Sequence, residues 1–142
     1  AYFQHVGSAT RAILEESGYK PADFAHVIFH QPNAKFPQRI GKELGFSPEQ
    51  IKTGLLSPVI GNTYAGAALI GLTAVLDTAK AGDLILMTSY GSGAGSDSFI
   101  IKVRRPISGK QKLALSTQDY IARRTEIDYA TYVRYRGEIV IK

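Results

Sequence analysis

The chain has no cysteine among its 142 residues, which excludes a disulfide framework, cysteine-ligated zinc and a cysteine nucleophile supplied by this polypeptide. Charge is sparse as well. Only 20% of the residues are Asp, Glu, Lys or Arg against 44% hydrophobic, a balance that excludes intrinsic disorder and specifies one domain or a piece of one. Long apolar runs are missing too: the longest stretch without a charge, from Thr53 to Leu76, is broken by Pro58, Asn62 and several glycines. No basic start leads into an apolar, signal-like segment, so neither a membrane span nor an export signal is supported, and a cytoplasmic location is the expectation.

The charge that is present is uneven. From Lys102 to Lys142 there are ten Lys/Arg against four Asp/Glu, a net +6, whereas residues 1–101 carry seven against eight, a net −1. A basic tail interleaved with Tyr120, Tyr129, Tyr132 and Tyr135 suits a docking surface for an acidic chain or a solvated helical face. Tracking a nucleic-acid backbone is the weaker reading, because overall basicity says little about specific partners.

Along the chain, Val6, Ala9 and Ile13 follow helical spacing from Phe3 to Glu16, with Gly18 placed to end the helix in a left-handed cap. Phe24 to Phe29 is a short, nearly continuous apolar run between Pro21 and Pro32, which predicts a strand buried on both faces and delivers His30 at its C-terminal end. Phe36, Ile40 and Leu44 mark the inner face of a helix with Asn33 as N-cap, Pro37 in the first turn and Gly45 at its close. Ser47-Pro48-Glu49-Gln50 is a capping box opening a short helix. Gly61 to Leu72 is rich in small residues and apolar on nearly every side. It predicts a long central helix running to about Lys80-Ala81-Gly82, close-packed on its neighbours. Asp83–Ser89 and Ser98–Val103 read as strands joined by Tyr90-Gly91-Ser92-Gly93-Ala94-Gly95-Ser96, and Ser116–Arg124 and Tyr129–Arg136 as two short tail helices. Helices alternating with strands specify an α/β class, a mixed sheet layered with helices.

Open α/β sheets place their ligand crevices at the C-terminal ends of strands, which is where His30 lies. A lone histidine there reads equally as an imidazole satisfied by a backbone carbonyl. Asn62, expected at the start of the long helix, strengthens the chemical reading. An imidazole and a carboxamide aimed at one point give two hydrogen-bond donors to a carbonyl oxygen as it gains negative charge, and removing one such donor costs roughly 3 to 4 kcal/mol of barrier. The plain alternative for Asn62 is a cap or turn residue. Lys35 and Arg39, four apart, share one helix face and suit phosphate binding, although Arg39 is equally placed to pair with Glu43. The Gly-rich stretch around Ser92 leaves backbone amides open to a ligand but matches neither dinucleotide nor P-loop patterns. His5 and His26 have no acidic or cysteine partners at metal-ligand spacing, and no metal site is expected.

Taken together, His30-Gln31-Pro32-Asn33, Gly61-Asn62-Thr63-Tyr64-Ala65-Gly66-Ala67 and Ser89-Tyr90-Gly91-Ser92-Gly93-Ala94-Gly95-Ser96 resemble the C-terminal half of the thiolase-fold condensing enzymes, and among these the archaeal hydroxymethylglutaryl-CoA synthases. The similarity covers residues 1–105 most strongly, leaving residues 106–142 as a separate basic, tyrosine-rich tail. The resemblance also accounts for a chain that begins inside a helix with no strand before it. It implies acetylation of a cysteine by acetyl-CoA, deprotonation of the acetyl methyl, addition of the enolate to the ketone of acetoacetyl-CoA, and hydrolysis to 3-hydroxy-3-methylglutaryl-CoA. It further implies that the cysteine and a glutamate acid/base come from an N-terminal half not contained here. Carried onto this chain, His30 anchors and protonates the acetoacetyl carbonyl, and Asn62 is the second polar contact to the acyl groups. Lys35 and Arg39 then contact CoA phosphates or the acyl-CoA ligand, and Ser92 binds substrate. The partners implied are that N-terminal half, a second copy in a homodimer core, and, for the archaeal type, an acetoacetyl-CoA thiolase and a small zinc-ribbon/OB-fold scaffold protein, with the basic tail as a docking surface.

Two other readings fit parts of the pattern. A ketoacyl-ACP synthase III type of condensing enzyme is similar in its His-Gln-x-Asn and Gly-Asn-Thr motifs. A noncatalytic acyl-CoA-binding or scaffolding subunit fits the absence of a nucleophile, but the retention of His30, Asn62 and Lys35 argues against it. A nucleic-acid module would need stacking aromatics on an open sheet, and these strands read as buried.

Overall fold

The computed structural model describes residues 1–91 and 95–138. Helix α1 (Tyr2–Ser17) ends at Gly18, whose φ of 74° places it in the left-handed region and whose N–H donates to the Leu14 carbonyl, the termination that a residue without Cβ permits. After a single 3-10 turn (Pro21–Asp23) comes β1 (His26–Phe29), shorter than the apolar run because Phe24 and Ala25 lead into it. Helix α2 (Lys35–Glu43) starts under Asn33, whose Oδ1 accepts from the Lys35 and Phe36 amides at 2.9 and 3.1 Å. Pro37 is its third residue, where no intrahelical N–H is needed.

Helix α3 (Pro48–Lys52) is opened by the expected capping box, with Gln50 Oε1 accepting from the Ser47 amide at 2.8 Å. The same Gln50 turns its Nε2 to the Pro21 and Phe24 carbonyls at 2.8 and 2.6 Å, tying α3 to the approach to β1.

The long helix expected from Gly61 is a correction. A short helix α4 (Ser57–Ile60) comes first, Gly61 and Asn62 lie in a turn, a 3-10 turn spans Tyr64–Gly66, and only then does helix α5 (Ala67–Leu76) run. Two local conformations stop a continuous helix: Gly61 at φ 74° and Tyr64 at φ 50°. Side-chain bonding to the backbone offers the chain an alternative to the helical ladder.

Strands β2 (Leu84–Thr88) and β3 (Ser98–Lys102) complete the sheet, whose order is β1-β2-β3. β1 runs parallel to β2, pairing His26 with Ile85 and Phe29 with Thr88; β2 runs antiparallel to β3, pairing Leu84 with Lys102 and Thr88 with Ser98. The sheet is therefore mixed and helix-layered, as expected. Alternation along the strands divides the core in two. Val27, Phe29, Leu84 and Leu86 join Val6 of α1, Ile40 of α2 and Ile51 of α3, whereas Ile28, Ile85 and Met87 join Ala68 and Val75 of α5. Thr88 is wholly buried at the end of β2, and its hydroxyl bridges Thr10 of α1 at 2.9 Å and Ser98 of β3 at 2.8 Å.

Beyond β3 the chain forms α6 (Ile107–Lys110), which the sequence reading lacked, then α7 (Thr117–Ala122) and α8 (Tyr129–Tyr135) near the expected positions. Ser116 and Asp128 cap α7 and α8. The segment is fastened to α5 by Gln111 Nε2, which donates to the Leu76 and Ala79 carbonyls at 2.7 and 2.9 Å, and by the Thr117 amide on Asp77 Oδ2 at 2.6 Å. None of the helices is long and apolar enough to cross a membrane among the described residues.

Candidate active site

β1 ends by handing its backbone to the neighbouring strand. The His30 amide donates to the Thr88 carbonyl at 2.9 Å, and the His30 carbonyl accepts from the Tyr2 hydroxyl of α1 at 2.6 Å. The imidazole is thus fixed at the strand end, only 7% exposed, with the rings of Tyr90 and Tyr2 centred 5.6 and 6.2 Å away. Its Nδ1 is buried and finds no hydrogen-bond partner among the described residues. Burial holds its pKa below the ordinary histidine value, so the ring is neutral near pH 7, one nitrogen donating and the other accepting. Burial likewise pushes the Tyr2 phenol well above its usual range, keeping it protonated as a donor.

Asn62, exposed in the segment between α4 and α5, borders the same cavity as His30. Its Oδ1 accepts from the Tyr64 amide at 2.8 Å, so it is the turn residue that the plain alternative described, rather than the first residue of a helix. That bond also fixes the amide's orientation, because the oxygen is engaged and the NH₂ end is left as the free donor. His30 and Asn62 line one cavity of about 540 Å³ with Tyr2, Pro32, Phe36, Tyr64, Ala65, Tyr90 and Gly91. A predominantly aromatic wall with two convergent polar groups is the composition of a small-molecule site.

The remaining expected residues are placed differently. Arg39 takes the structural option: its Nε meets Glu43 Oε1 at 2.9 Å and its guanidinium lies 4.6 Å from the centre of the Phe3 ring. Lys35 is exposed at the start of α2. Neither is among the residues lining the cavity. Ser92 lies outside the described residues; Gly91 and Gly95 exchange backbone hydrogen bonds. A second hollow of about 690 Å³ borders the first across Ala65, Tyr90 and Gly91 and includes His5, Ser8 and Asp97. His26, unpartnered on sequence spacing, faces Asp83 across the strands at 3.9 Å. No group of three or more metal-ligating side chains occurs among the described residues.

Sequence reasoning missed the aromatic lining and the residue next to His30. Tyr2 and Tyr90 are isolated tyrosines in sequence with no periodic signal. Gln31, quoted only as part of a motif, is 3% exposed and makes four hydrogen bonds to the 54–57 turn and to the first turn of α5.

A strand-end histidine and a turn-held carboxamide share an apolar cavity in the C-terminal part of a thiolase-like α/β fold. Residues 14–103 match the model of the family described as 3-oxoacyl-[acyl-carrier-protein (ACP)] synthase III C terminal, and the chain belongs to that family. It is 54% identical over 97% of its length to the hydroxymethylglutaryl-CoA synthase of Methanocella arvoryzae and 51% identical over 99% to that of Thermococcus kodakarensis. The chain spans 40% of the length of each of these curated relatives. Among solved structures, that of MvaS in complex with 3-hydroxy-3-methylglutaryl coenzyme A superposes with a TM-score of 0.78 over 95% of this chain and 42% of that one, at 21% identity, a likeness of fold.

Proposed function

We propose that this chain is the C-terminal part of a hydroxymethylglutaryl-CoA synthase, with acetyl-CoA and acetoacetyl-CoA as substrates and 3-hydroxy-3-methylglutaryl-CoA as product. The observation that carries the reading is the meeting of His30 and Asn62 on one apolar cavity, in a chain about half identical to curated synthases along nearly its whole length. In this reading a cysteine acylated by acetyl-CoA, which this chain does not have, and a glutamate that removes the acetyl methyl proton belong to the rest of the enzyme. As the enolate carbon bonds to the ketone carbon of acetoacetyl-CoA, the ketone π pair moves onto oxygen. His30 and the Asn62 NH₂ receive that charge, each as a positioned donor on the wall of the shared, largely apolar cavity. The proton completing the tertiary hydroxyl comes through the His30 imidazole, whose burial keeps it neutral and able to exchange a proton in either direction. Hydrolysis of the cysteine thioester then frees the product. Lys35 on the rim of α2 is placed to attract CoA phosphates. Arg39, engaged with Glu43, contributes to the same basic face, and Ser92 binds substrate from the Gly-rich loop.

Apolar surface left open in this chain supports association with the remaining part of the enzyme: Leu69 of α5 is 59% exposed and Phe99 of β3 49%, and patches of this kind mark interaction faces. A homodimer core belongs to the same reading. So does residues 106–142 as a distinct basic tail docking an acetoacetyl-CoA thiolase or a zinc-ribbon/OB-fold scaffold protein, supported by the exposure of Tyr129, Tyr132 and Tyr135. The second reading, a ketoacyl-ACP synthase III type, is favoured by the family whose model matches.

The test is to assemble this chain with the polypeptide that completes it and to assay acetyl-CoA with acetoacetyl-CoA, and separately with malonyl-ACP. Formation of 3-hydroxy-3-methylglutaryl-CoA, abolished by His30→Ala, is the expected result. Turnover of malonyl-ACP alone selects the second reading. A complete, folded assembly inert to both overturns the enzymatic reading in favour of acyl-CoA binding or scaffolding.

A further inference from the structure

Gln31 is bonded to His30 in sequence, is fully enclosed, and takes no part in the chemistry above. Its carboxamide is saturated. Nε2 donates to the Gly54 carbonyl at 2.7 Å and the Ala67 carbonyl at 3.2 Å, while Oε1 accepts from the Leu56 amide at 2.6 Å and the Ser57 amide at 2.8 Å. These partners are the two ends of one segment. Ser57 begins α4 and Ala67 begins α5, and everything between them, Asn62 included, is hung from those two points. A single side chain therefore gathers both ends of the Asn62 segment onto the residue that follows His30. The fit is specific in chemistry: two N–H groups and two carbonyls must be met together, which a carboxylate cannot do for want of donors, nor an ammonium for want of acceptors. It is specific in space as well. A Cβ at Gly71 would come within 2.8 Å of the Gly54 carbonyl, 2.9 Å of the Ile28 side chain and 3.0 Å of Gln31 Nε2, so α5 packs directly on the turn and the amide at this point and leaves no room for a side chain.

We propose that Gln31 is a positioning residue that sets the spacing between His30 and Asn62 and acts through Asn62; the proposal rests on the reading of the site given above. Spacing matters because donors serve a developing oxyanion only within a few tenths of an ångström of hydrogen-bond distance, and a displacement of about 1 Å costs on the order of 10²-fold in rate.

The experiment uses the complete assembly. Gln31→Glu keeps the accepting oxygen and loses both donors; Gln31→Met, apolar and of similar length, is the second variant should a buried carboxylate prevent folding. Deuterium exchange is compared between segment 57–67 and strand 84–88, and kcat is measured in the unsubstituted and Asn62→Ala backgrounds. Exchange in 57–67 is expected to rise about tenfold or more with 84–88 unchanged, as for a local opening. In parallel kcat falls about 10²-fold with KM little moved, and the loss vanishes in the Asn62→Ala background. Unchanged exchange in 57–67, a rise shared equally by 84–88, or a full additional loss in the Asn62→Ala background overturns the proposal. Should the unsubstituted assembly make no 3-hydroxy-3-methylglutaryl-CoA, the synthase reading fails on its own, and the exchange comparison alone decides whether Gln31 holds the segment.

Discussion

The end of the sheet that bears His30 and the helical tail beyond Pro106 are held by different means. Around His30 the polar groups are buried and multiply bonded: Tyr2 to the His30 carbonyl, Gln31 to four backbone groups, Thr88 to two hydroxyls. In the tail the helices are short, Val133 alone is buried among the described residues, and the segment is attached by Gln111 and Thr117 and by Ile107 against the core cluster of α5. Leu113, Ile127, Tyr129 and Tyr135 stand in solvent. The first region is built to keep atoms in register without help. The second has local order from its caps but little packing, which places it at the low-stability end of the chain.

The contrast is most sharply tested at its catalytic extreme. His30→Ala is expected to lower kcat of the complete assembly by about 10²- to 10⁴-fold, and Asn62→Ala by about 10²- to 10³-fold, with the melting temperature nearly unmoved; a residual rate within tenfold of the parent in either would remove that residue from the chemistry. Next comes packing. Phe29→Ala, in the enclosed layer between the sheet and α1–α3, should cost about 3–5 kcal/mol in denaturant unfolding, whereas Tyr129→Ser in the tail should stay within about 0.5 kcal/mol. Equal losses at the two positions would erase the distinction.

The two regions should also part company in pH. His30 has a folded pKa below its unfolded value of 6.5, so the folded chain binds that proton less readily than the unfolded one. Its environment is fully tolerated above about pH 6.5, and stability declines as pH falls from there through the lowered folded value. Asp119 is held below the usual carboxylate value by the hydrogen bonds of the Ser116 side chain and amide, and Asp128 by the Thr131 amide. Their support is present above the unfolded value of 3.8 and is lost as pH falls below it through the lowered folded values. Titration followed by NMR should therefore show the His30 region responding first and the caps of α7 and α8 only in stronger acid; a His30→Gln variant that keeps the first transition would detach it from this histidine. The smallest effect is expected from Ser116→Ala, which removes the α7 cap at a cost of about 0.5–2 kcal/mol to that helix and leaves kcat unchanged.

What could be read from the sequence was what neighbouring residues decide among themselves. Gly18 as a left-handed stop, Ser47 with Gln50 as a capping box and the strand that ends at His30 each follow from a few consecutive side chains. The turn at Asn62 followed only as the plain alternative, because residues 61–72 form one small-residue run apolar on nearly every side, while the interruption comes from one carboxamide bonding the Tyr64 amide and from φ values of 74° at Gly61 and 50° at Tyr64. Arg39 was ambiguous for a different reason: Glu43 lies one turn on in the same helix and was visible in the spacing, but the Phe3 ring that also holds the guanidinium comes from α1. The bonds of Gln31 span 23 to 36 residues, and nothing in a linear pattern distinguishes such an amide from a solvated one.

The row of hydroxyls from Thr10 through Thr88 to Ser98 has one more consequence. Each pair can be joined with either oxygen donating, so the hydrogens along the row can all point one way or all the other, as in a chain of water molecules in ice, and switch together without any heavier atom moving. Serine at any of the three positions preserves both directions, whereas valine at position 88 cuts the row in the middle and strands a hydroxyl on either side.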